Sequence, residues 1–236
     1  MKKQFLVLFS ALLGSCGANT GRQTAAPVDS SSPAHLEAGN HFILQATTAC
    51  QQTALSHQFD LAIHLSRYTD TALQHDSCAF KLLILDKQTK VPLDSISFSS
   101  LFYFSNTFEH CDSVMSFSTG FHVNKRVVDN YFGDLIVADL NFDDKDDIAV
   151  ISDIGGSGGP LYNFYIQGAG KHFLIDRFLT DSVSFFPLHM DRRRKVLTTY
   201  VHASAHAMGR HNYHFDPATN SWKQISHKII SAENSE

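Results

Sequence analysis

The sequence predicts an all-β fold class: antiparallel hairpins in a propeller-like or sandwich arrangement. Three observations carry that expectation. Short runs rich in Phe, Val, Ile and Tyr alternate with polar residues or stay continuously apolar over the length of a strand. Gly, Asp, Asn and Pro punctuate those runs, and no twelve-residue stretch keeps a 3.6-residue period. The composition fits a folded chain, since 236 residues at 43% hydrophobic and 18% charged can bury a sizeable core. Against 23 Asp and Glu stand 19 Lys and Arg, a net charge of −4 that withholds the phosphate attraction of a nucleic-acid binder. Four cysteines are too few for a small disulfide-built scaffold.

Along the chain, residues 1–15 read as a signal peptide, with Lys2 and Lys3 ahead of the apolar stretch Phe5 to Leu13. That stretch is far shorter than the ~20 residues of a membrane-spanning helix. The following Leu13-Gly14-Ser15-Cys16 resembles the lipobox of bacterial lipoproteins, which implies cleavage before Cys16 and acylation of the new N-terminal cysteine. Several acyl chains at ~0.8 kcal/mol per buried methylene would anchor the mature chain stably. Gly17 in place of an acidic sorting residue favours the outer membrane, in the periplasm. Residues 16–40 are small and polar and read as a flexible tether, because they cannot repay their ordering entropy by burial. One β domain is expected over 41–230, with 231–236 as a loose tail.

Within that domain the strand candidates are 61–69, 79–86, 95–104, 134–140, 148–153, 161–167, 172–179, 195–203 and 212–216, with one short helix over 122–132. KLLILDKQTKVPL, YNFYIQGAGKHFLI and YHFDPATNSWKQI each join a strand to a return strand through a polar turn and read as hairpins. Their spacing is too irregular for a regular many-bladed ring. Cys50, Cys78 and Cys111 remain after cleavage, an odd number. A Cys50–Cys78 or Cys78–Cys111 bridge closing roughly thirty residues would add ~3 kcal/mol, and three buried reduced thiols are the equal alternative.

The most specific local signal is the segment Asp139-Leu140-Asn141-Phe142-Asp143-Asp144-Lys145-Asp146-Asp147, between strands 134–140 and 148–153. An EF-hand-like loop offers oxygens from positions 1, 3 and 5, the carbonyl of 7 and a group from 9. Counting from Asp139 gives Asp139, Asn141, Asp143, the Lys145 carbonyl and Asp147 as a ligand set for Ca²⁺, with Leu140 and Phe142 turned into the core. The usual glycine at position 6 is Asp144, and the bidentate Glu of position 12 is replaced by Val150. The bland alternative is an empty, solvated acidic turn. Repulsion among Asp139, Asp143 and Asp147 argues against it unless a cation or a proton intervenes. Mg²⁺ suits the site less, because it gives up its waters reluctantly.

The same stretch carries a resemblance. DLNFDDKDDIAVISD is similar to the D-x-N-x-D loops of integrin-type and FG-GAP-like propeller repeats. Together with the glycine-rich turn and LYNFYIQ, it resembles the calcium-binding lipoproteins that protect bacteria against lysozyme-like effectors of bacterial-killing type IV secretion systems. The resemblance spans about 134–180. It implies a propeller-like β fold, a periplasmic lipid anchor, a peptidoglycan hydrolase as protein partner, and calcium on Asp139, Asn141, Asp143, Lys145 and Asp147. No short motif marks the inhibitory surface.

Two other clusters invite chemistry. Gly155-Gly156-Ser157-Gly158-Gly159-Pro160 contains G-x-S-x-G, but no T-A-A-H-C segment precedes it, and Pro160 with the alternating LYNFYIQ predicts a strand where a hydrolase elbow needs a helix. A turn is the preferred reading, and a serine hydrolase at Ser157 a remote one. His202, His206, His211 and His214 surround Met208-Gly209-Arg210, read as a turn that would let His206 and His211 face each other. His202 and His206 stand four strand residues apart, roughly 13 Å, too far to share one zinc, so surface or cross-strand polar roles are expected, with a pH-sensitive partner interface as a hypothesis. The expectation is therefore a non-enzymatic, lipid-anchored, calcium-binding inhibitor of a cell-wall hydrolase. A calcium-stabilised adhesion or glycan-binding lipoprotein is the alternative, weakened by a single tryptophan, Trp222.

Overall fold

The computed structural model describes residues 41–73, 75–100, 114–116, 133–153, 155 and 159–231. The signal peptide, Cys16, the tether, the 122–132 helix, Cys111, Ser157 and the chain end after Ser231 lie outside the described residues.

The fold is all-β, as the patterning predicts. Consecutive strands build three sheets. The first joins β1 (Phe42–Gln52), β2 (Phe59–Asp70), β3 (His75–Asp86) and β4 (Pro92–Ser100) in chain order. The second orders β5 (Val114–Ser116), β6 (Leu135–Ala138), β7 (Asp147–Asp153), β8 (Leu161–Gln167) and β9 (Phe173–Ile175) likewise. The third joins β10 (His189–Asp191), β11 (Val196–Ser204), β12 (Ala207–Asp216) and β13 (Ser221–Ser231). All neighbours among the described strands are antiparallel except β5 and β6, which run parallel. The three expected hairpins are β3–β4, β8–β9 and β12–β13.

Burial explains the two kinds of apolar run. In β2 and β3, Leu61, Ile63, Leu65, Phe80, Leu82 and Ile84 are buried at alternate positions and face the core. Every residue of β6 and the first five of β7 are buried, so both faces of that hairpin are covered. A single apolar cluster takes residues from all three sheets, which a sandwich-like stacking fits.

Three expectations are corrected. The run 172–179 is strand only to Ile175. Asp176 then caps a short π-type turn, its Oδ1 accepting from Leu179 N–H at 2.9 Å, and the turn closes when Ser184 N–H donates five residues back to the Leu179 carbonyl at 2.7 Å. Met208-Gly209-Arg210 is not a turn: it lies inside β12, and the chain reverses between Ser204 and Ala207. Neither expected disulfide forms, nor are all three thiols reduced. Cys50 is disulfide-bonded while Cys78 is a buried thiol. Cys50 sits on β1 opposite Ile63, and Cys78 on β3 opposite Arg67, with β2 between them. Two strand spacings place them roughly 9–10 Å apart before their offset along β2 is added, beyond the ~7 Å limit for bridging.

Gly155 has φ +65°, and a Cβ there would lie 1.9 Å from the Gly159 carbonyl oxygen, so only glycine fits.

Candidate metal centre

The 139–147 segment leaves β6 at Ala138 and re-enters the sheet at Asp147, directly opposite Ala138. Leu140 is fully buried and Phe142 nearly so, as the alternation predicts. Phe142 packs against Trp222 with ring centroids 6.4 Å apart, and this anchors it in a left-handed conformation (φ 62°) that a bulky side chain rarely adopts. Asp144, at the position usually held by glycine, also has positive φ (65°).

The oxygens then turn inward upon the loop. Asp139 Oδ1 accepts from Asp143 N–H at 3.0 Å, and Asp139 Oδ2 from Asp144 N–H at 3.1 Å. Asn141 Oδ1 accepts from Asp143 N–H at 3.2 Å, and Asp143 Oδ1 from Lys145 N–H at 3.0 Å. Asp147 closes the loop: its Oδ2 accepts from Leu140 N–H and its Oδ1 from Gln167 N–H on β8, both at 2.9 Å. Burial pushes the Asp147 carboxyl well above the usual carboxylate range despite those two donors, and Asp143 and Asp139 add to the rise. Burial also raises Asp139, against the pull of the Asp143 amide, Arg192 and the Asp144 amide.

Two cations that the sequence reading did not assign sit on these acids. The Arg192 guanidinium, from the β10–β11 turn, bridges Asp139 and Asp144. The Lys145 ammonium lies 2.7 Å from Asp143 Oδ2. The repulsion expected among the acids is thus relieved within the chain. Asp146, which the loop count passed over, is buried and accepts from Ser56 Oγ at 2.6 Å, while Gln58 Nε2 donates to the Asp144 carbonyl at 3.3 Å. The loop therefore ties the first sheet, its own sheet and the third sheet together. The only local hint of Arg192 is its place in the sole Lys/Arg block, Arg192-Arg193-Arg194-Lys195. Nothing in the sequence points to Ser56 or to the Gln167 amide, because both partners are distant in the chain.

A pocket of about 400 Å³ opens beside the loop, bordered by Asn141, Asp143, Lys145, Gln167, Asp176 and Phe215. Among the described residues, no three His, Cys, Asp or Glu side chains converge as a ready cage. The donor chemistry, all oxygen and net negative, fits a hard cation and not a thiolate- or imidazole-seeking one. Each carboxylate oxygen that accepts one N–H keeps a second lone pair. Arg192 pairs with Asp139 and Asp144 and so would compete with such a cation for Asp139.

The other candidate residues are dispersed. His202 and His206 are exposed, His206 in the β11–β12 turn, while His211 lies opposite Thr199 and His227, so His206 and His211 do not face each other. Trp222 is buried against Phe215, ring centroids 4.9 Å apart, and its Nε1–H donates to Asp176 Oδ2 at 3.1 Å. It offers no open platform for a sugar. Among the described residues no helix is long and apolar enough to cross a membrane.

No known protein family and no curated protein matches the chain. A solved structure of a Xanthomonas type IV secretion system related protein aligns with it at 12% identity and a TM-score of 0.41. The alignment covers 80% of this chain and 90% of that one.

Proposed function

We propose that the chain is a lipid-anchored periplasmic protein that binds calcium at the 139–147 loop and inhibits a peptidoglycan hydrolase. Asp139, Asn141, Asp143, the Lys145 carbonyl and Asp147 would hold the ion, which supplies charge neutralisation and no chemistry of its own. The observation that carries the reading is the buried Asp147, whose two oxygens already pin the loop start and the end of β8 at 2.9 Å. A loop so anchored holds its remaining oxygens in one register. The inhibitory role rests on the resemblance of residues 134–180 to calcium-binding immunity lipoproteins, and the anchor on Leu13-Gly14-Ser15-Cys16. In this mechanism the loops beside the 400 Å³ pocket occlude the acidic cleft of a lysozyme-type enzyme by shape, with no catalytic group required of the chain. Burial of Trp222 disfavours the glycan-binding alternative.

The test has two arms. Calorimetric titration with Ca²⁺ should release heat at one site, and the heat should vanish in Asp139→Ala. Tagged protein should recover a cell-wall hydrolase from periplasmic extract and slow its digestion of peptidoglycan. A flat titration removes the calcium centre. Failure to bind or slow any hydrolase removes the inhibitory role.

A further inference from the structure

The β10–β11 turn carries charge that the 139–147 loop does not consume. Asp191 pairs with Val196, so Arg192, Arg193, Arg194 and Lys195 make a four-residue reversal at the tip of that hairpin. Its backbone is fixed at three points. Asp191 Oδ1 accepts from Arg194 N–H at 3.0 Å, a side-chain cap on the turn. Lys195 adopts a left-handed φ of 52°, and its carbonyl accepts from Phe215 N–H on β12 at 3.0 Å. The side chains then divide. Arg192 reaches back to bridge Asp139 and Asp144, whereas Arg193 and Arg194 are exposed and neither forms an ion pair among the described residues. Lysines of other turns do find acids, Lys87 and Lys90 on Asp60 and Lys171 on Asp86. Two adjacent guanidiniums thus stand unmatched on a preformed tip, in a chain of net charge −4.

We propose that Arg193 and Arg194 are a docking arm that enters the carboxylate-lined cleft of the partner hydrolase, a proposal that rests on reading the chain as an inhibitor of such an enzyme. Glycoside-cleaving enzymes generally hold two Asp or Glu side chains ~5–9.5 Å apart across the scissile bond, one of them ionised. Adjacent residues have Cα atoms ~3.8 Å apart, so two long arginine side chains from one tip span that interval. A guanidinium meets a carboxylate through two parallel N–H···O bonds, each stronger than a neutral one. A tip whose backbone is already fixed lowers the ordering cost of docking. Opposite charge also speeds encounter, because a cleft of one sign focuses its field on the incoming group. An anionic lipid surface attracts the same charges, but segments suited to it carry roughly four to eight Lys or Arg. Here Arg192 is neutralised by two acids and Asp191 flanks the turn, which leaves a small cluster matched to a few carboxylates. By holding Asp139 and Asp144, Arg192 seats the turn beside the 139–147 loop, so the arm and the calcium centre share one surface.

The test uses the full chain and the lysozyme-type hydrolase that the tagged wild type recovers, with two double variants, Arg193→Gln with Arg194→Gln and Arg193→Glu with Arg194→Glu. Surface plasmon resonance should show the association rate falling ~10-fold or more in the glutamate variant, since steering contributes ~10–10³ to on-rates. The glutamine variant should lie between it and wild type, with a rate less sensitive to salt. Changing the hydrolase's two catalytic carboxylates to amides should weaken wild-type binding and leave that of the glutamine variant where it was. Melting temperature and calcium titration should be unchanged in both variants, because the two side chains are exposed and unpaired with the loop. Wild-type rates and inhibition in the glutamate variant overturn the arm and leave the inhibitor reading in place. The arm is equally overturned if the variants lose binding to vesicles of phosphatidylglycerol and phosphatidylethanolamine while hydrolase binding stays intact, which assigns the charges to the membrane. Recovery of no hydrolase by the wild type removes the inhibitor reading, and the arm with it.

Discussion

Two acidic turns in this chain use the same local chemistry and reach opposite electrostatic states. In the β3–β4 turn, Asp86 Oδ1 accepts from Gln88 N–H at 3.0 Å and from Thr89 N–H at 2.9 Å, while Lys171 Nζ lies 2.9 Å from Oδ2. Those donors, led by the Thr89 amide, hold Asp86 below the usual carboxylate range. In the 139–147 loop the acids also accept backbone N–H groups, yet burial wins, and Asp139 and Asp147 are raised. Hydrogen bonds of equal length do not decide the sign of the shift; access to water does. The exposed turn keeps its acid low on its own donors, whereas the buried loop keeps Asp139 and Asp147 raised even with Arg192 and Lys145 among its acids.

The largest test of that contrast is Asp147→Ala. The side chain is fully buried and satisfies two buried amides, Leu140 and Gln167. Leaving both unpaired should cost about 3 kcal/mol, read as a drop in urea midpoint at unchanged slope. A loss well below that size would mean the loop rearranges without its closing acid.

Calcium removal comes next. Ligand binding to the folded state alone stabilises by about 2.7 kcal/mol at a hundredfold excess over Kd. A melt with excess Ca²⁺ should therefore lie several degrees above one in EDTA for the wild type, with no difference for Asp139→Ala. Identical wild-type curves would place the loop with the self-sufficient turns.

Arg192→Gln sharpens the contrast further. The arginine is half exposed, at 49%, and bridges Asp139 and Asp144. As a partly screened pair it should contribute under ~1 kcal/mol to stability without metal. Because its guanidinium competes for Asp139, removing it should tighten calcium binding, and the calorimetric Kd checks this. Weaker binding in the variant would make Arg192 a support of the centre and not a competitor.

How much of this was legible in the sequence follows from the same distinction between local and distant partners. Hairpins β3–β4, β8–β9 and β12–β13 were readable because turn residues and strand alternation are local. So was the inward turn of Leu140 and Phe142. The π-helical turn after Ile175 was not, because apolar Phe178 and Leu179 continue a strand-like pattern and only the Asp176 cap breaks it. The cysteine pairing failed because it needed strand order, which puts β2 between Cys50 and Cys78. Arg192, Ser56 and Gln167 escaped for a related reason: each reaches the loop from a distant stretch of chain, and no periodicity encodes that. The placement of His211 opposite His227 was in reach only through the β12–β13 register.

The smallest expected effect concerns the exposed turn. Asp86→Ala removes the acceptor of two turn amides and the partner of Lys171, and at neutral pH it should lower the melting temperature slightly. The folded-state pKa is depressed, so the native turn binds its proton more weakly than the unfolded chain does. The contribution of Asp86 is thus present above the ordinary carboxylate value of 3.8 and is lost as pH falls through the depressed folded value. Wild type and variant should converge in acid, and the difference between them at pH 7 should be the same with calcium as with EDTA. A calcium-dependent difference would link Asp86 to the 139–147 loop, with Lys171 at the edge of the β8–β9 turn as the route, and would erase the separation between the two kinds of acidic turn.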